Sequence, residues 1–202
     1  MRLSNAVTIN FDLPDNGLKV IRGPNGSGKS LFLKSIAFLM KSEFDQFDFN
    51  GKSISQWNPE VYRSQVLYVP SSTFNLEMSV DEYLEYPRKL AVYGQKKWSG
   101  ESVGLCRKFE LSGKLGILSM GQRQILNIIR AIGLDARILL LDEPTSHLDP
   151  DMAHIAENLI MQWKESTKGS LVVISHEQML ASRLGTTSTL FSDLVLSAKS
   201  SQ

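Results

Sequence analysis

The sequence predicts an α/β fold that is built on a mostly parallel sheet. Four short apolar runs, rich in leucine or β-branched residues, are typical of strands buried on both faces. These runs are Leu18 to Ile21, Val66 to Val69, Ile138 to Leu141 and Leu171 to Ile174. Helical patterns lie between the runs, and strands that alternate with helices favour a parallel sheet.

The amino-terminal elements predict a small antiparallel region beside the main sheet. Apolar and polar residues alternate from Val7 to Phe11, which is typical of a strand with one buried face. Further on, Phe47 and Phe49 lead into the pair Asn50-Gly51. This pair favours a tight hairpin, because both residues tolerate the positive φ angles that such a turn needs.

Strand signals vanish from Ser79 to Gly116, and we assign residues 74–117 to a helical subdomain inserted in the core. Ser79, with Glu82 three residues on, forms a capping-box pattern that predicts the start of a helix. Pro87 should end or kink this helix. A second helix is expected over Ser102 to Glu110, before the next glycines.

The carboxyl-terminal half begins with a predicted amphipathic helix. Its apolar positions follow the i, i+3, i+4, i+7 spacing of one helix face, and they are Ile125, Ile128, Ile129 and Ile132. The polar residues opposite this stripe are Arg123, Asn127 and Arg130. The tail from Thr186 to Gln202 is rich in Ser and Thr, and its apolar residues indicate no role.

Length and composition limit the function classes. The chain has 202 residues, which fits one domain spanning 1–202, and 22 basic against 21 acidic residues leave a net charge of +1. A general nucleic-acid coat is therefore not expected. The single cysteine, Cys106, is predicted to be a small residue of the core. No window reaches the roughly 18 uninterrupted apolar residues of a membrane helix, so a membrane part would come from another chain.

The first chemical motif is a phosphate-binding loop. It fits G-x-x-x-x-G-K-[ST], and its residues are Gly23, Pro24, Asn25, Gly26, Ser27, Gly28, Lys29 and Ser30. The motif follows a predicted strand and opens an apolar helix, so a merely flexible glycine loop is the weaker alternative. Backbone N–H groups would face the phosphates, and Lys29 would reach the β- and γ-phosphates. The Ser30 hydroxyl would contact Mg²⁺.

The second motif is a pair of carboxylates at the end of a buried strand. Asp142 and Glu143 follow the run that starts at Ile138, at the edge where an open α/β sheet presents its ligand crevice. This is the Walker B pattern. Asp142 would hold magnesium through water, and Glu143 would orient or deprotonate the water that attacks the γ-phosphate. By itself the pair could also begin a turn at Pro144.

A third motif carries a resemblance to the ATP-binding cassette family. The segment Leu118–Gln122 resembles the LSGGQ signature of that family and lies just before the Walker B strand. Thr145–Asp149 resembles the D-loop, and Val173–His176 resembles the strand that ends in the switch histidine. The resemblance implies a head-to-tail dimer of cassettes. ATP would lie between the P-loop of one cassette and the signature of the other, whose ATP-binding residues would be Ser119, Gly121 and Gln122.

The resemblance also implies the role of one histidine. His176 would contact the γ-phosphate and link it to Glu143, which suits a ring that can donate from either nitrogen. The expected catalytic residues are therefore Lys29, Glu143 and His176. We assign His147 and His154 to structural or surface roles.

Three departures from the family pattern stand out. The family usually has a glutamine at the metal where this chain has Ser71, whose shorter side chain still offers a hydroxyl. We keep Ser71 in the expected metal site, with Ser72 or Asn75 as alternatives. The upstream aromatic residue that stacks on adenine is missing, because Phe11 is assigned to a strand face. Met120 replaces a signature glycine.

The resemblance implies the ATPase subunit of a membrane transporter, and the compact chain favours an exporter. A separate permease would be gripped through residues 74–117 and the Ser71 loop, with the cassette peripheral on the cytoplasmic face of the membrane. Two alternatives stay open: a soluble cassette ATPase of nucleic-acid maintenance or translation, and a weakly hydrolysing regulatory cassette. The small net charge argues against the first, and the carboxylates Asp142 and Glu143 argue against the second.

Overall fold

A computed structural model of the chain describes residues 2–3, 7–71, 77–93 and 100–196. Ser72 and Asn75, named above as alternatives, lie outside these residues, as does the end of the tail. The strands are β1 (Arg2–Leu3), β2 (Val7–Ile9), β3 (Leu18–Arg22), β4 (Asp48–Phe49), β5 (Lys52–Ser53), β6 (Val66–Val69), β7 (Ile138–Asp142), β8 (Ser170–Ile174), β9 (Ser188–Leu190) and β10 (Val195–Leu196). The helices are α1 (Lys29–Ile36), α2 (Pro59–Gln65), α3 (Val80–Glu85), α4 (Gly100–Lys108), α5 (Met120–Gly133), α6 (Pro150–Thr167), α7 (Leu180–Arg183) and α8 (Phe191–Leu194).

The main sheet has five strands in the order β6-β7-β8-β3-β9, and all neighbours run parallel. The four predicted apolar runs are its first four strands, so the predicted fold class is confirmed. The fifth strand, β9, comes from the serine- and threonine-rich tail. Because the strands are parallel, their carboxyl ends meet at one edge, where β3 leads into the P-loop and β7 ends at Asp142.

The antiparallel region consists of two separate pieces. In the predicted hairpin, Asn50 and Gly51 have φ angles of 53° and 70°, which join β4 to β5 as a tight turn requires. A second small sheet has the order β1-β2-β10. The prediction of a strand through Phe11 was wrong at its end. The strand stops at Ile9, because Phe11 packs edge-on against Phe32, with 5.1 Å between the ring centroids.

The main sheet separates two hydrophobic cores. Alternate residues of a strand face opposite sides, so Leu139 and Leu141 pack with Ile129 of α5 on one side. Leu140 packs with Phe32 of α1 on the other side. Each face of the sheet is therefore covered by helices, and the helix that follows the P-loop is anchored in the second core.

Helix α5 is buried more completely than its sequence pattern predicts. Asn127, expected opposite the apolar stripe, is buried and accepts a 2.6 Å hydrogen bond from the hydroxyl of Tyr83 in α3. The guanidinium of Arg130 lies 4.2 Å from the centroid of the same ring. The predicted apolar stripe is confirmed, since Ile125, Ile128 and Ile129 are buried. The polar side is covered as well, because Tyr83 of α3 packs there.

The capping box of the insert is confirmed. The Ser79 hydroxyl accepts from the N–H of Glu82, and the Glu82 carboxylate accepts from the N–H of Ser79. A short 3-10 helix at Tyr86–Lys89 follows α3, as Pro87 predicted. The boundaries 74–117 stay a prediction, since residues 72–76 and 94–99 are outside the described chain. In the part that is described, no helix has the length and apolar character to cross a membrane.

Candidate functional site

A cavity of about 320 Å³ lies at the carboxyl edge of the main sheet, beside the start of α1. Its lining residues are Asn25, Gly26, Ser27, Gly28, Lys29, Ser30, Leu31, Ser71, Asp142, Glu143, Ile174 and His176. The structure therefore brings together the P-loop, the carboxylate pair, the histidine and the serine that the sequence selected from four distant segments.

The P-loop presents an open helix end to this cavity. Gly26 and Gly28 have φ angles of 76° and 98°, a region that L side chains rarely adopt, so the loop needs glycine at both positions. Gly28 directly precedes α1, and no side chain caps that helix. Since the first N–H groups of a helix lack intrahelical partners, they remain available to an anion in the cavity.

Lys29 is the buried cation of the site. Its side chain is only 6% exposed, and its Nζ donates to the carbonyl oxygens of Gly23 and Pro24 at 2.8 and 2.9 Å. Burial lowers the pKa of Lys29, and the nearby carboxylates of Glu143 and Asp142 oppose that shift. The lysine is therefore held at the rim of the loop by neutral acceptors that a phosphate oxygen could replace.

Asp142 is buried and held by a residue that the sequence analysis missed. It is 3% exposed, and the hydroxyl of Tyr68 in β6 donates a 2.8 Å hydrogen bond to its Oδ2. Burial and the hydrogen bond to Asp142 both raise the pKa of Tyr68, so its hydroxyl keeps the proton that it donates. The register pairs Tyr68 with Leu140, which shares a sheet face with Asp142. This alternation was the available signal for Tyr68.

Glu143 adopts an unusual backbone conformation at the end of β7. Its φ angle is 49°, and its N–H donates to the carbonyl of Ile174 in β8 at 2.9 Å. Non-glycine residues in this region carry strain, which other interactions must offset. A further hydrogen bond, from the N–H of His176 to Glu143 Oε2 at 3.3 Å, holds the side chain at the cavity.

The imidazole of His176 lies close to the same carboxylate. Its Nε2 is 3.0 Å from Glu143 Oε1, an approach that becomes an ion pair when the ring is protonated. Burial raises the pKa of Glu143, whereas His176 and Lys29 act in the opposite direction. The pair thus provides an acceptor for a water proton next to a ring that can donate to a phosphate.

The cavity fits a magnesium nucleotide by the chemistry of its donors. Within the described residues, Ser27 Oγ is buried without a hydrogen-bond partner, and Glu143 Oε1 has only the approach of His176 Nε2 described above. No group of three or more His, Cys, Asp or Glu side chains there could hold a metal ion by itself. Magnesium needs no such group, because it takes one or two protein oxygens together with substrate phosphates and waters. Ser30 and Asp142 could supply those oxygens, with Ser71 at the same cavity.

The signature residues lie in a different cleft of this chain. Ser119, Gly121 and Gln122 line a cleft of about 760 Å³ together with His147. The hydroxyl of Ser119 accepts from the N–H of Gln122, whose side chain accepts from the N–H of Ser119. Met120, the departure from the family pattern, is 50% exposed at the first position of α5. One chain therefore does not bring the signature to its own P-loop cavity.

A second set of residues near the site escaped the sequence analysis. Arg183 of α7 contacts two oxygens of buried Glu157 in α6, at 2.9 and 2.7 Å. Its third nitrogen lies 2.6 Å from the carboxylate of Glu177, the residue after His176. This network ties the loop of His176 to two helices. Glu157 lies 26 positions from Arg183, and the three residues form no motif, so sequence spacing carried no signal.

Comparison with known proteins supplies the family. The family model described as ABC transporter matches residues 7–146. The chain is 28% identical to the Escherichia coli "Probable iron export ATP-binding protein FetA", over 84% of this chain and 77% of that protein. It is 32% identical to the "Tungstate uptake system ATP-binding protein TupC" of Peptoclostridium acidaminophilum, over 81% of this chain and 76% of that protein.

A solved structure agrees with these relatives. It is the dimeric structure of a post-hydrolysis state of the ATP-binding cassette MJ0796, bound to ADP and Pi. The superposition has a TM-score of 0.71 and 25% identity, and it covers 86% of this chain and 80% of the other. The match between the fold, the motifs and these proteins leads to one conclusion: this chain belongs to the ABC transporter family, as an ATP-binding chain with ATPase activity.

Proposed function

We propose that this chain is the motor subunit of an ABC exporter, which hydrolyses ATP with Mg²⁺ and drives a separate permease by closing and opening a cassette dimer. The observation that carries the proposal is the convergence of Lys29, Asp142, Glu143 and His176 on one cavity beside the open end of α1. Phosphoryl transfer to water requires a buried cation, a carboxylate that binds the metal, a base, and a hydrogen-bond donor to the phosphate.

The proposed roles follow from the positions of these groups. Lys29 exchanges its two carbonyl acceptors for phosphate oxygens, while the N–H groups of the P-loop hold the same phosphates. Glu143, once ionised, accepts a proton from the attacking water. His176 donates to the γ-phosphate and keeps Glu143 in place through the contacts described above. Ser30, Asp142 and Ser71 would supply the oxygen donors of the metal site, and Mg²⁺ bound there would offset negative charge on the phosphates.

A second cassette completes the site in this proposal. Ser119, Gly121 and Gln122 lie in an open cleft of their own, so they are placed to bind the ATP of a partner rather than of their own chain. The dimeric form of the related cassette supports this arrangement. ATP then bridges the two chains, and its hydrolysis removes the contacts that keep the dimer closed.

We place the permease contact on residues 74–117 and the Ser71 loop, with the chain peripheral on the cytoplasmic face of a membrane. A membrane-spanning helix is absent from the described residues, so in this proposal another chain supplies the membrane part. The net charge of +1 gives little affinity for a nucleic-acid backbone. Similarity to an iron export ATP-binding protein supports export, whereas a tungstate uptake protein is also among the relatives.

The first test is ATP hydrolysis by the purified chain at high concentration, with wild type beside Glu143→Gln. Oligomeric state is recorded by light scattering with and without ATP. We expect wild-type turnover, and a mutant that loses turnover but is trapped by ATP as a dimer. The matched control is Glu165→Gln, which removes an exposed carboxylate of α6 and should leave both readouts unchanged.

The outcomes separate the parts of the proposal. Turnover that survives in Glu143→Gln would remove Glu143 from the role of base. A folded wild type that stays inactive with its permease and a second cassette present would instead favour the regulatory cassette. Direction is tested in everted vesicles that contain the permease. Cargo that accumulates inside after external ATP addition indicates export, and loss of preloaded cargo indicates uptake.

A further inference from the structure

We propose that Tyr68 is a positioning residue of the metal site, which fixes the carboxylate of Asp142 through its Oδ2 so that Oδ1 serves the cation. The inference rests on the proposed role of Asp142. It adds a residue that belongs to none of the sequence motifs, and it predicts that the contribution of Asp142 to magnesium binding depends on a neutral hydroxyl in the neighbouring strand.

The geometry begins with the pairing of β6 and β7. The strands are parallel with Tyr68 opposite Leu140, so the ring of Tyr68 shares a sheet face with Asp142, two residues further along β7. The hydroxyl reaches Oδ2 at 2.8 Å. Asp142 is only 3% exposed, so water does not readily replace this donor. Hydrogen bonds to a carboxylate in such surroundings are stronger than those between neutral groups.

The chemistry of the donor suits a metal site. A tyrosine hydroxyl orients one carboxylate oxygen without bringing a positive charge, so it does not compete electrostatically with a cation at the other oxygen. An ammonium or guanidinium at this place would neutralise the charge that the cation needs. The ring itself packs against the second core, and the Nζ of Lys34 in α1 lies 5.9 Å from its centroid. Outer groups of this kind orient metal ligands and tune their affinity.

Tyr68 also connects β6 with the metal site. The same strand leads through Pro70 to Ser71, whose side chain lines the cavity but is short. Through Tyr68, the end of β6 contacts Asp142 directly, and this contact does not involve the Ser71 loop. A displacement of this strand end would therefore move the hydroxyl that positions Asp142. The geometry of the metal site would then change even though position 71 has no long side chain.

The test compares Tyr68→Phe with Tyr62→Phe. Tyr62 is a matched control because its buried hydroxyl also donates a hydrogen bond, at 2.7 Å to the carbonyl of Ile36, away from the cavity. The readout is the Mg²⁺ concentration required for half-maximal binding of a fluorescent ATP analogue. We expect Tyr68→Phe to raise that concentration about 10-fold or more, with nucleotide binding in EDTA unchanged. Tyr62→Phe should change only the melting temperature.

A double-mutant cycle with Asp142→Asn separates the role of Tyr68 from the role of Asp142. If Tyr68 acts through Asp142, then Tyr68→Phe adds little in the Asp142→Asn background. An additive effect, or an unchanged Mg²⁺ requirement in a Tyr68→Phe variant that melts like Tyr62→Phe, would overturn the role of Tyr68. Should Asp142→Asn by itself leave the Mg²⁺ requirement unchanged, the proposed function of Asp142 fails instead. Melting curves identify any variant that does not fold, and if Tyr68→Phe fails to fold the cycle is repeated with Tyr68→Leu, which offers no hydrogen-bond donor.

Discussion

The starts of α1 and α5 are both proposed to bind the phosphates of ATP, yet they are built differently. At α1, Gly28 has a φ angle of 98° and no side chain caps the helix. At α5, Ser119 and Gln122 form a reciprocal capping box, with hydrogen bonds of 3.1 and 2.9 Å. One helix end is open to an anion, and the other has already satisfied two of its N–H groups with its own side chains.

The capping box at α3 shows what distinguishes the signature. Ser79 and Glu82 make the same two bonds there, but the second residue is a carboxylate. Hydrogen bonds from the backbone and hydroxyl of Ser79 lower the pKa of Glu82, so that end of α3 is anionic and would repel a phosphate. The box at α5 is neutral, and the Ser119 hydroxyl can still donate its own proton outward. The open end of α1 suits phosphates bound within one chain. The neutral capping box of α5 suits an ATP molecule that a partner chain already holds.

The largest effect is expected at the open end. Lys29→Met removes the buried cation, and we expect the affinity for ATP to fall about 100-fold, as when one partner of a buried charged contact is lost. Titration calorimetry with the isolated chain checks this. Lys41→Met, which removes an exposed lysine after α1, is the control and should bind ATP like wild type. Equal affinity in the two variants would contradict the assignment of Lys29.

Gln122→Glu should convert the signature box into the α3 type. We expect the helix to remain capped and the melting temperature to change little, because a carboxylate is favourable at a helix start. ATP-driven dimerisation should weaken by about 10- to 100-fold, since like charges would meet across the interface. Dimerisation is measured by light scattering, and ATP binding to the monomer should stay unchanged. A variant that dimerises normally would show that the charge of the box is irrelevant.

Ser119→Ala should separate capping from ligand binding. Loss of an N-cap serine costs about 1 kcal/mol of stability, which thermal unfolding detects. Ser79→Ala is the matched control, since it removes the same cap from α3. Both variants should lose similar stability, but only Ser119→Ala should also weaken the ATP-driven dimer, by a few-fold. If both weaken it equally, the hydroxyl of Ser119 acts only as a cap.

Local patterns were sufficient to predict the strands β3, β6, β7 and β8, the P-loop and the carboxylate pair. Each of these depends on neighbouring residues: glycines that permit a positive φ, or an apolar run that ends in Asp142. The pattern of α5 predicted its apolar stripe but not the burial of Asn127, which Tyr83 from the insert covers. No periodicity within α5 contains that information. The edge strand β9 was equally hidden, since its backbone pairing with β3 depends little on side-chain character.

The residues that the sequence analysis missed act through tertiary pairing. Tyr68 reaches Asp142 across 74 positions of sequence, and Arg183 reaches Glu157 across 26. A motif records residues that a ligand requires at fixed spacing. It does not record the groups that hold those residues, because many different side chains from neighbouring elements can do so. The main residues that line the cavity could therefore be selected from the sequence, whereas the contacts that hold them required the fold.

The smallest expected effect concerns stability and pH at Glu143. Burial raises its folded-state pKa above the ordinary value, so ionisation of the carboxyl costs more in the folded chain than in the unfolded chain. The corresponding stability is present below the unfolded pKa and is lost as the pH rises through the folded pKa. At pH 7, Glu143→Gln should therefore melt higher than wild type, on the order of 2 °C. The difference should shrink towards acid pH, and scanning calorimetry from pH 4 to pH 8 measures it.

Glu177, a nearby carboxylate in the His176 loop, provides a control of opposite sign. The hydrogen bond from Arg183 lowers the pKa of Glu177, so its contribution to stability is present above the unfolded pKa and is lost as the pH falls. Glu177→Gln should melt lower than wild type at pH 7, by a small amount because the carboxylate is half exposed. If Glu143→Gln also melted lower than wild type, burial at Glu143 would not be the dominant effect, and the weakened contacts with His176 would be the remaining physical explanation.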